Sequence, residues 1–230
     1  MTPFLLVPGL NCDARVYSAA TTALWPLGSV MIANQLEGEG MAAMAAAILA
    51  VAPPTFALAG FSMGGYIAFE ILRQAPDRVT RLALLDTNAQ PDSAEATEVR
   101  RRRIEQTRAG KFRLVVEQSF LGTLHPDNAD DSRLYSIHRG MSDAAGPEAY
   151  VRHQQAIIDR PDSRPTLAGI RVPTLVLVGE ADAISTPAMA EEMHKGIAGS
   201  ILKVIPRAGH MALLEQPELV NTALRGWATA

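Results

Sequence analysis

Thr55-Phe-Ala-Leu-Ala-Gly60-Phe-Ser62-Met-Gly64-Gly65-Tyr66-Ile-Ala-Phe-Glu-Ile-Leu-Arg73 is the stretch that decides how this chain folds. Small and apolar residues run into Gly-x-Ser-x-Gly, and a helical pattern begins at once on the far side. A chain that turns from strand to helix this sharply holds the apex residue in a strained conformation. The residues two positions away must then be almost without side chains, or they collide across the turn. Gly60 and Gly64 meet that demand. The Ser62 hydroxyl is thereby pushed out at the end of a sheet. It lies beside the N–H groups of a first helical turn, which lack intrahelical partners and can stabilise an anion.

Outward from this turn, strand and helix signals alternate. Phe4-Leu-Leu-Val7 is a short buried strand stopped by Pro8-Gly9-Leu10-Asn11, and helical potential follows from about Ala14 to Trp25. Val30-Met-Ile-Ala33 reads as a second strand. Met41, Met44, Ile48 and Val51 then recur at helical spacing until Pro53-Pro54. The third strand is expected over Thr55 to Ala59, with its helix ending before Pro76, and Val79 to Leu85 makes a fourth, closed by Asp86-Thr-Asn88. Such alternation predicts crossover units and a parallel sheet. Between about Ala89 and Ile170 no strand is legible; charged helical segments are broken at Gly110, Gly122, Pro126, Gly146 and Pro161. Val172 to Val178 resumes the strand signal, ending in Gly179-Glu-Ala-Asp182. A helix starts at Pro187, Ile201 to Ile205 is the last strand, and a closing helix covers roughly Pro217 to Trp227. The organisation expected is an α/β core of residues 1–88 and 171–230, interrupted by a helical insert over 89–170.

Composition bounds the function. A chain of 230 residues fits one domain with an inserted subdomain, and 48% apolar with 20% charged residues is ordinary for a soluble globular protein. A net charge of −3 invites neither nucleic acid nor an anionic membrane surface. The lone Cys12 rules out an internal disulfide and suits a reducing compartment. Phe4 onward is apolar without a basic leader, and no apolar run approaches the ~20 residues of a membrane span. A soluble cytoplasmic protein acting on a small molecule is expected, with no nucleic-acid or membrane partner; a homo-oligomer stays open.

The chemistry gathers at strand ends. In an open parallel sheet the reactive crevice lies outside the C-terminal ends of the strands. Ser62 follows the third strand, Asp182 the fifth and His210 the sixth. A nucleophilic Ser needs a base, and the base needs an acceptor that fixes its tautomer and stabilises the imidazolium. An oxyanion hole needs two converging N–H donors. Met63, directly after the nucleophile, supplies one; the turn at Gly9-Leu10 supplies the other through the Leu10 N–H.

With these residues in place the chain resembles the α/β-hydrolase fold family over nearly its full length. The resemblance rests on Leu5-Leu-Val-Pro-Gly9, Gly60-Phe-Ser-Met-Gly64-Gly65, Gly179-Glu-Ala-Asp182, Ala208-Gly-His210-Met and Glu215-Gln-Pro217. It implies a three-layer α/β fold with a mostly parallel sheet, a Ser62–Asp182–His210 triad and a helical lid inserted after the strand near Leu85. Pro8 departs from the family's usual His before the Gly. The chain also starts directly at that first strand, so the family's antiparallel N-terminal strands look absent and about six strands remain. Asp86 follows a strand too, where some members carry the acid. The position of Gly179-x-x-Asp182 ahead of the His strand favours Asp182 and leaves Asp86 as a loop-capping carboxylate.

The remaining candidates read as structural. His125, His138, His153 and His194 are taken as surface or packing residues, and none has metal-ligand spacing; no metal or cofactor is expected. Arg100-Arg-Arg-Arg103 sits between Glu98 and Glu105 and reads as a solvated face, because four consecutive helical residues point four ways. Cys12 reads as a small packing residue. The leading function is hydrolysis of an ester, lactone or similar small acyl substrate. A second reading keeps the triad for C–C hydrolysis or elimination on an anionic substrate, with Arg133, Arg139 or Arg152 as its cation. A third is a ligand-binding protein on the same scaffold. Phe112, Leu114, Val115, Phe120, Leu121, Leu134 and Tyr135 are the apolar insert residues available to line a pocket.

Overall fold

Strands of Val, Leu, Phe and Ala with no polar face can only lie in a sheet covered on both sides. The structure, a computed structural model, describes residues 1–229. Its six strands are β1 (Phe4–Val7), β2 (Val30–Ile32), β3 (Phe56–Phe61), β4 (Val79–Leu85), β5 (Thr174–Gly179) and β6 (Ile201–Ile205). All neighbours pair parallel, in the order β2-β1-β3-β4-β5-β6. The expected three-layer architecture with about six strands is therefore present. β3 runs past the expected Ala59, because Gly60 and Phe61 stay in register with Leu84 and Leu85.

The period of two sorts the side chains. Leu5, Val7, Leu58, Leu84, Val176 and Val178 pack on one face against helices α2 (Met41–Val51), α3 (Met63–Gln74) and α8 (Pro187–Gly196). Phe4, Leu6, Ala57, Ala59, Leu85 and Leu177 pack on the other, against α1 (Ser18–Leu24), the short α9 (Ala212–Glu215) and α10 (Pro217–Thr229). The strand order reverses between β1 and β3, and a crevice opens at such a switch point beyond the C-terminal strand ends. One outer edge is β6, where Ile201 and Val204 are exposed.

The connection from β4 to β5 is helical throughout: α4 (Ala94–Gln106), α5 (Phe112–Leu121), α6 (Ser132–Ile158) and the short α7 (Arg164–Leu167). The expected breaks have visible causes. Gly110 takes φ 80° where α4 passes through a π-helical turn into α5. Gly146 takes φ 79° just before Pro147, whose ring and missing N–H break α6 in two. Among the described residues no helix is long and apolar enough to cross a membrane.

Candidate active site

Ser62 sits between β3 and α3 at φ 52°, ψ −117°, a strained conformation for a residue with a side chain. The surrounding structure enforces it. A Cβ on Gly60 would land on the Gly64 carbonyl, and one on Gly64 would land on the Val7 carbonyl. Ser62 N–H donates to Leu85 O at 2.9 Å, and its carbonyl accepts from Thr87 Oγ1 at 2.8 Å. The turn is thus tied to the end of β4.

The loops after β5 and β6 touch, because a Cβ on Gly179 would strike the Ala208 and Gly209 carbonyls. Contact at that closeness brings Asp182 to His210. Asp182 Oδ2 lies 2.8 Å from His210 Nδ1, and His210 Nε2 lies 2.8 Å from Ser62 Oγ. Asp182 Oδ1 accepts from the N–H groups of Ile184 (2.8 Å) and Ser185 (2.9 Å), which fixes the carboxylate's rotation. Both Asp182 and His210 are buried. A carboxylate facing Nδ1 keeps the proton there, so Nε2 is free to accept from the Ser62 hydroxyl.

Asp86 is fully buried at the end of β4, with φ 45°. Its Oδ1 accepts from Gly179 N–H at 2.9 Å, and Oδ2 has no partner among the described residues. Burial, and then the charge of Asp182, push its carboxyl well above the usual range. It caps the β5 loop through the Gly179 N–H, and its burial favours the neutral form of the acid.

The turn after β1 presents Leu10 to the same crevice. Cys12 N–H donates to Gly9 O at 3.2 Å, and Asn11 takes the left-handed φ of 57° that Asn tolerates. Gln35, buried, clamps this turn by donating to Cys12 O (2.6 Å) and Gly9 O (3.3 Å). Its own carbonyl accepts from His153 Nε2 at 3.0 Å, so α6 holds the turn at one remove. Met63 opens α3 directly behind Ser62. The Cys12 thiol is pushed up to about 12 by burial, which makes it an inert packing group.

Above Ser62 lies a cavity of about 340 Å³ whose lining includes Leu10, His210, Phe120, Tyr150, Arg100 and Arg103. The helical segment does more than cover it. His210 N–H donates to Thr123 O at 2.6 Å, between α5 and α6. Glu215 joins the two sides: Oε1 accepts from Gly209 N–H (2.8 Å), and Oε2 from His125 N–H (2.7 Å) and Asn128 Nδ2 (2.8 Å).

Several expectations need correction. Arg100 and Arg103 do not lie on a solvated face; residues three apart share one side of a helix, so these two turn into the cavity while Arg101 and Arg102 stay exposed. Arg133, Arg139 and Arg152 are not in the cavity wall. The first two are mostly exposed beside Asp131 and Asp143, and Arg152 donates to Leu36 O. Of the apolar candidates only Phe120 lines the cavity above Ser62. Phe112, Leu121 and Tyr135 line a separate one of about 500 Å³ between α5 and α6, Leu134 and Val115 are core, and Leu114 is exposed. His138 also lines the cavity above Ser62, stacked on Phe120 at 3.9 Å, and burial lowers its pKa to about 4. His125 packs beside Asp127 and Glu180, and His194 faces Ser200. Gln35 and Glu215 act through tertiary contacts that no local pattern announces, although the Glu215-Gln-Pro217 stretch was part of the resemblance. Among the described residues no cluster of three or more His, Cys, Asp or Glu is arranged to hold a metal.

Comparison with known proteins is consistent with this geometry. A family model described as "Alpha/beta hydrolase family" matches residues 33–223. The pimeloyl-[acyl-carrier protein] methyl ester esterase of Neisseria meningitidis is 29% identical over 213 residues, covering 85% of this chain and 80% of its own. The 3-oxoadipate enol-lactonase 2 of Acinetobacter baylyi is 27% identical, covering 92% of this chain and 75% of its own. Among solved structures, a thermophilic esterase from Thermogutta terrifontis, with malate bound, superposes with a TM-score of 0.90 at 34% identity, over 100% of this chain and 90% of that one.

Proposed function

We propose a function from one premise: this chain belongs to the alpha/beta hydrolase family. It is a hydrolase, and its site is best read as cleaving a carboxylic ester or lactone through an acyl-enzyme. One observation carries the reading: a single imidazole lies 2.8 Å from a buried carboxylate and 2.8 Å from the hydroxyl on the strained turn. Ser62 Oγ attacks the carbonyl carbon as its proton passes to His210 Nε2, and Asp182 stabilises the imidazolium. The oxyanion that develops takes the N–H groups of Leu10 and Met63. Collapse expels the alcohol, which leaves with the proton from His210. Water, deprotonated in turn by His210, then attacks the acyl-Ser62 ester and releases the acid. Residues 89–170 act as the lid of this site. The relatives named above are an ester hydrolase, a lactonase and an esterase, which favours C–O cleavage over the C–C and elimination readings.

A fluorophosphonate probe and a p-nitrophenyl short-chain ester test this together. The protein should take up one label and turn the ester over repeatedly, and Ser62→Ala should abolish both. A labelled Ser62→Ala protein would reassign the nucleophile. Labelling of the wild type without repeated turnover of any ester or lactone would point to a binding protein.

A further inference from the structure

The catalytic cavity carries its cations on one helix. Arg100 and Arg103 of α4 reach the lining one turn apart, and no Asp or Glu lines the cavity beside them. Arg100 is already committed. Its Nε lies 3.1 Å from Asp92 Oδ1, and its Nη1 donates to Gln154 Oε1 at 2.8 Å. Gln154 in turn donates to the Tyr150 hydroxyl at 2.7 Å. Asp92 also takes Arg160, at 2.9 Å, so one buried carboxylate is shared by two guanidiniums. Arg103 is half-buried, and no carboxylate lies within ion-pair reach of it among the described residues. His138, the other basic group on this wall, is neutral at pH 7 because burial holds its pKa at about 4. An unpaired guanidinium in a partly dry wall attracts a planar anion, and its fork fits a carboxylate through two parallel hydrogen bonds. A cavity of about 340 Å³ holds a compact substrate, on the order of ten water-sized groups.

We propose that the cavity selects short esters whose acyl chain ends in a carboxylate, which pairs with Arg103 while Ser62 meets the ester carbonyl at the other end. This rests on the hydrolase reading above and adds a substrate class to it. The Tyr150 hydroxyl is held by Gln154 on the same wall, so Arg103 is the group that distinguishes a charged from a neutral tail.

The test uses monomethyl succinate, glutarate and adipate against methyl butyrate, pentanoate and hexanoate, with acid release followed in a pH-stat. The quantity read is the ratio of kcat/KM for each acid ester to that for its neutral counterpart. The wild type should prefer at least one acid ester. Arg103→Gln should lower that ratio roughly ten- to hundred-fold, as expected for losing a charged hydrogen-bonded pair, mainly through KM. Arg103→Lys should recover part of it, and Arg102→Gln, one residue along but exposed, should keep the wild-type ratio. Raising salt from 0.05 to 0.5 M should lower the ratio in the wild type more than in Arg103→Gln. A wild type that prefers the neutral ester at every chain length overturns the proposal. So does an equal fall in Arg103→Gln and Arg102→Gln, since that would be a diffuse field. If Arg103→Gln fails to fold, Arg103→Lys and the salt dependence decide on the same criteria. Calorimetry with glutarate and pentanoate separates this proposal from the one it rests on. Glutarate binding that Arg103→Lys weakens, in a protein that cleaves no ester, would refute hydrolysis and keep the anion site.

Discussion

Asp86 and Asp182 stand at neighbouring strand ends and have opposite chemistry. Asp182 accepts from two backbone N–H groups and faces an imidazole. Asp86 has one acceptor bond, an unpartnered oxygen and no exposure, and its burial pushes the carboxyl well above the usual range. Asp182→Asn should therefore cost on the order of 10⁴ in kcat, because the amide favours the wrong imidazole tautomer. Asp86→Asn keeps an oxygen for Gly179 and should cost far less; a larger loss at Asp86 would transfer the orienting role. The two also differ in stability. A carboxyl whose folded pKa is raised is protonated in the native state and ionised in the unfolded one, so its effect on stability worsens as pH rises above about 4. The Tm of Asp86→Asn relative to the wild type should thus increase between pH 5 and 8. The glycine spacing made Ser62 legible as an apex residue. The burial that raises the Asp86 carboxyl was not legible, since desolvation depends on every layer packed around it.

Helices α5 and α6 meet around the stacked pair Phe120 and His138, which stands in the walls of both the 340 Å³ and the 500 Å³ cavities. Phe120→Ala should join them and shift preference toward longer acyl chains, at a stability cost of about 3 kcal/mol. A p-nitrophenyl series from acetate to octanoate reads the shift, and an unaltered optimum in folded protein would argue against a shared partition. The same helices carry an acid sensitivity. Burial lowers the pKa of His138 and of His153 to about 4. Their neutral forms are favoured in the native state, so the stability they permit is complete above pH 6.5. It is lost progressively as pH falls toward 4, by up to roughly 3 kcal/mol for each. Hydrogen exchange at pH 7 and pH 5 should show α5 and α6 losing protection ahead of β1, β3 and β4. His153→Gln, whose amide can still donate to the Gln35 carbonyl, should shrink the difference. The Gly and Pro breaks of this segment were readable from sequence because their cause is local. The inward turn of Arg100 and Arg103 was not, because helical period tells which residues share a face and not which face looks inward. Here Arg100 meets α6 through Gln154 and shares Asp92 with Arg160, polar partners that leave no hydrophobic signature.

Across the molecule, the parallel sheet and its crevice followed from alternation, since Leu5-Leu-Val7 and Leu175-Val-Leu-Val178 lack a polar face and must be covered twice. Distance relations were out of reach: that Gly179 presses on Gly209, or that Glu215 joins the His210 loop to His125, requires the folded chain. The six-stranded sheet also ends at β6, whose Ile201 and Val204 are exposed with Lys203 as the strand's lone charge. A bare row of edge amides flanked by β-branched side chains is a template on which another partly opened chain can lengthen the sheet. Heating should consequently end in precipitation and not in reversible melting, at a rate that grows with protein concentration. Val204→Lys should delay light scattering on heating while kcat stays at the wild-type value, because the Val204 side chain is exposed and lines no part of the cavity above Ser62. The strand that completes the fold is thus also the place where one molecule can pass its order on to the next.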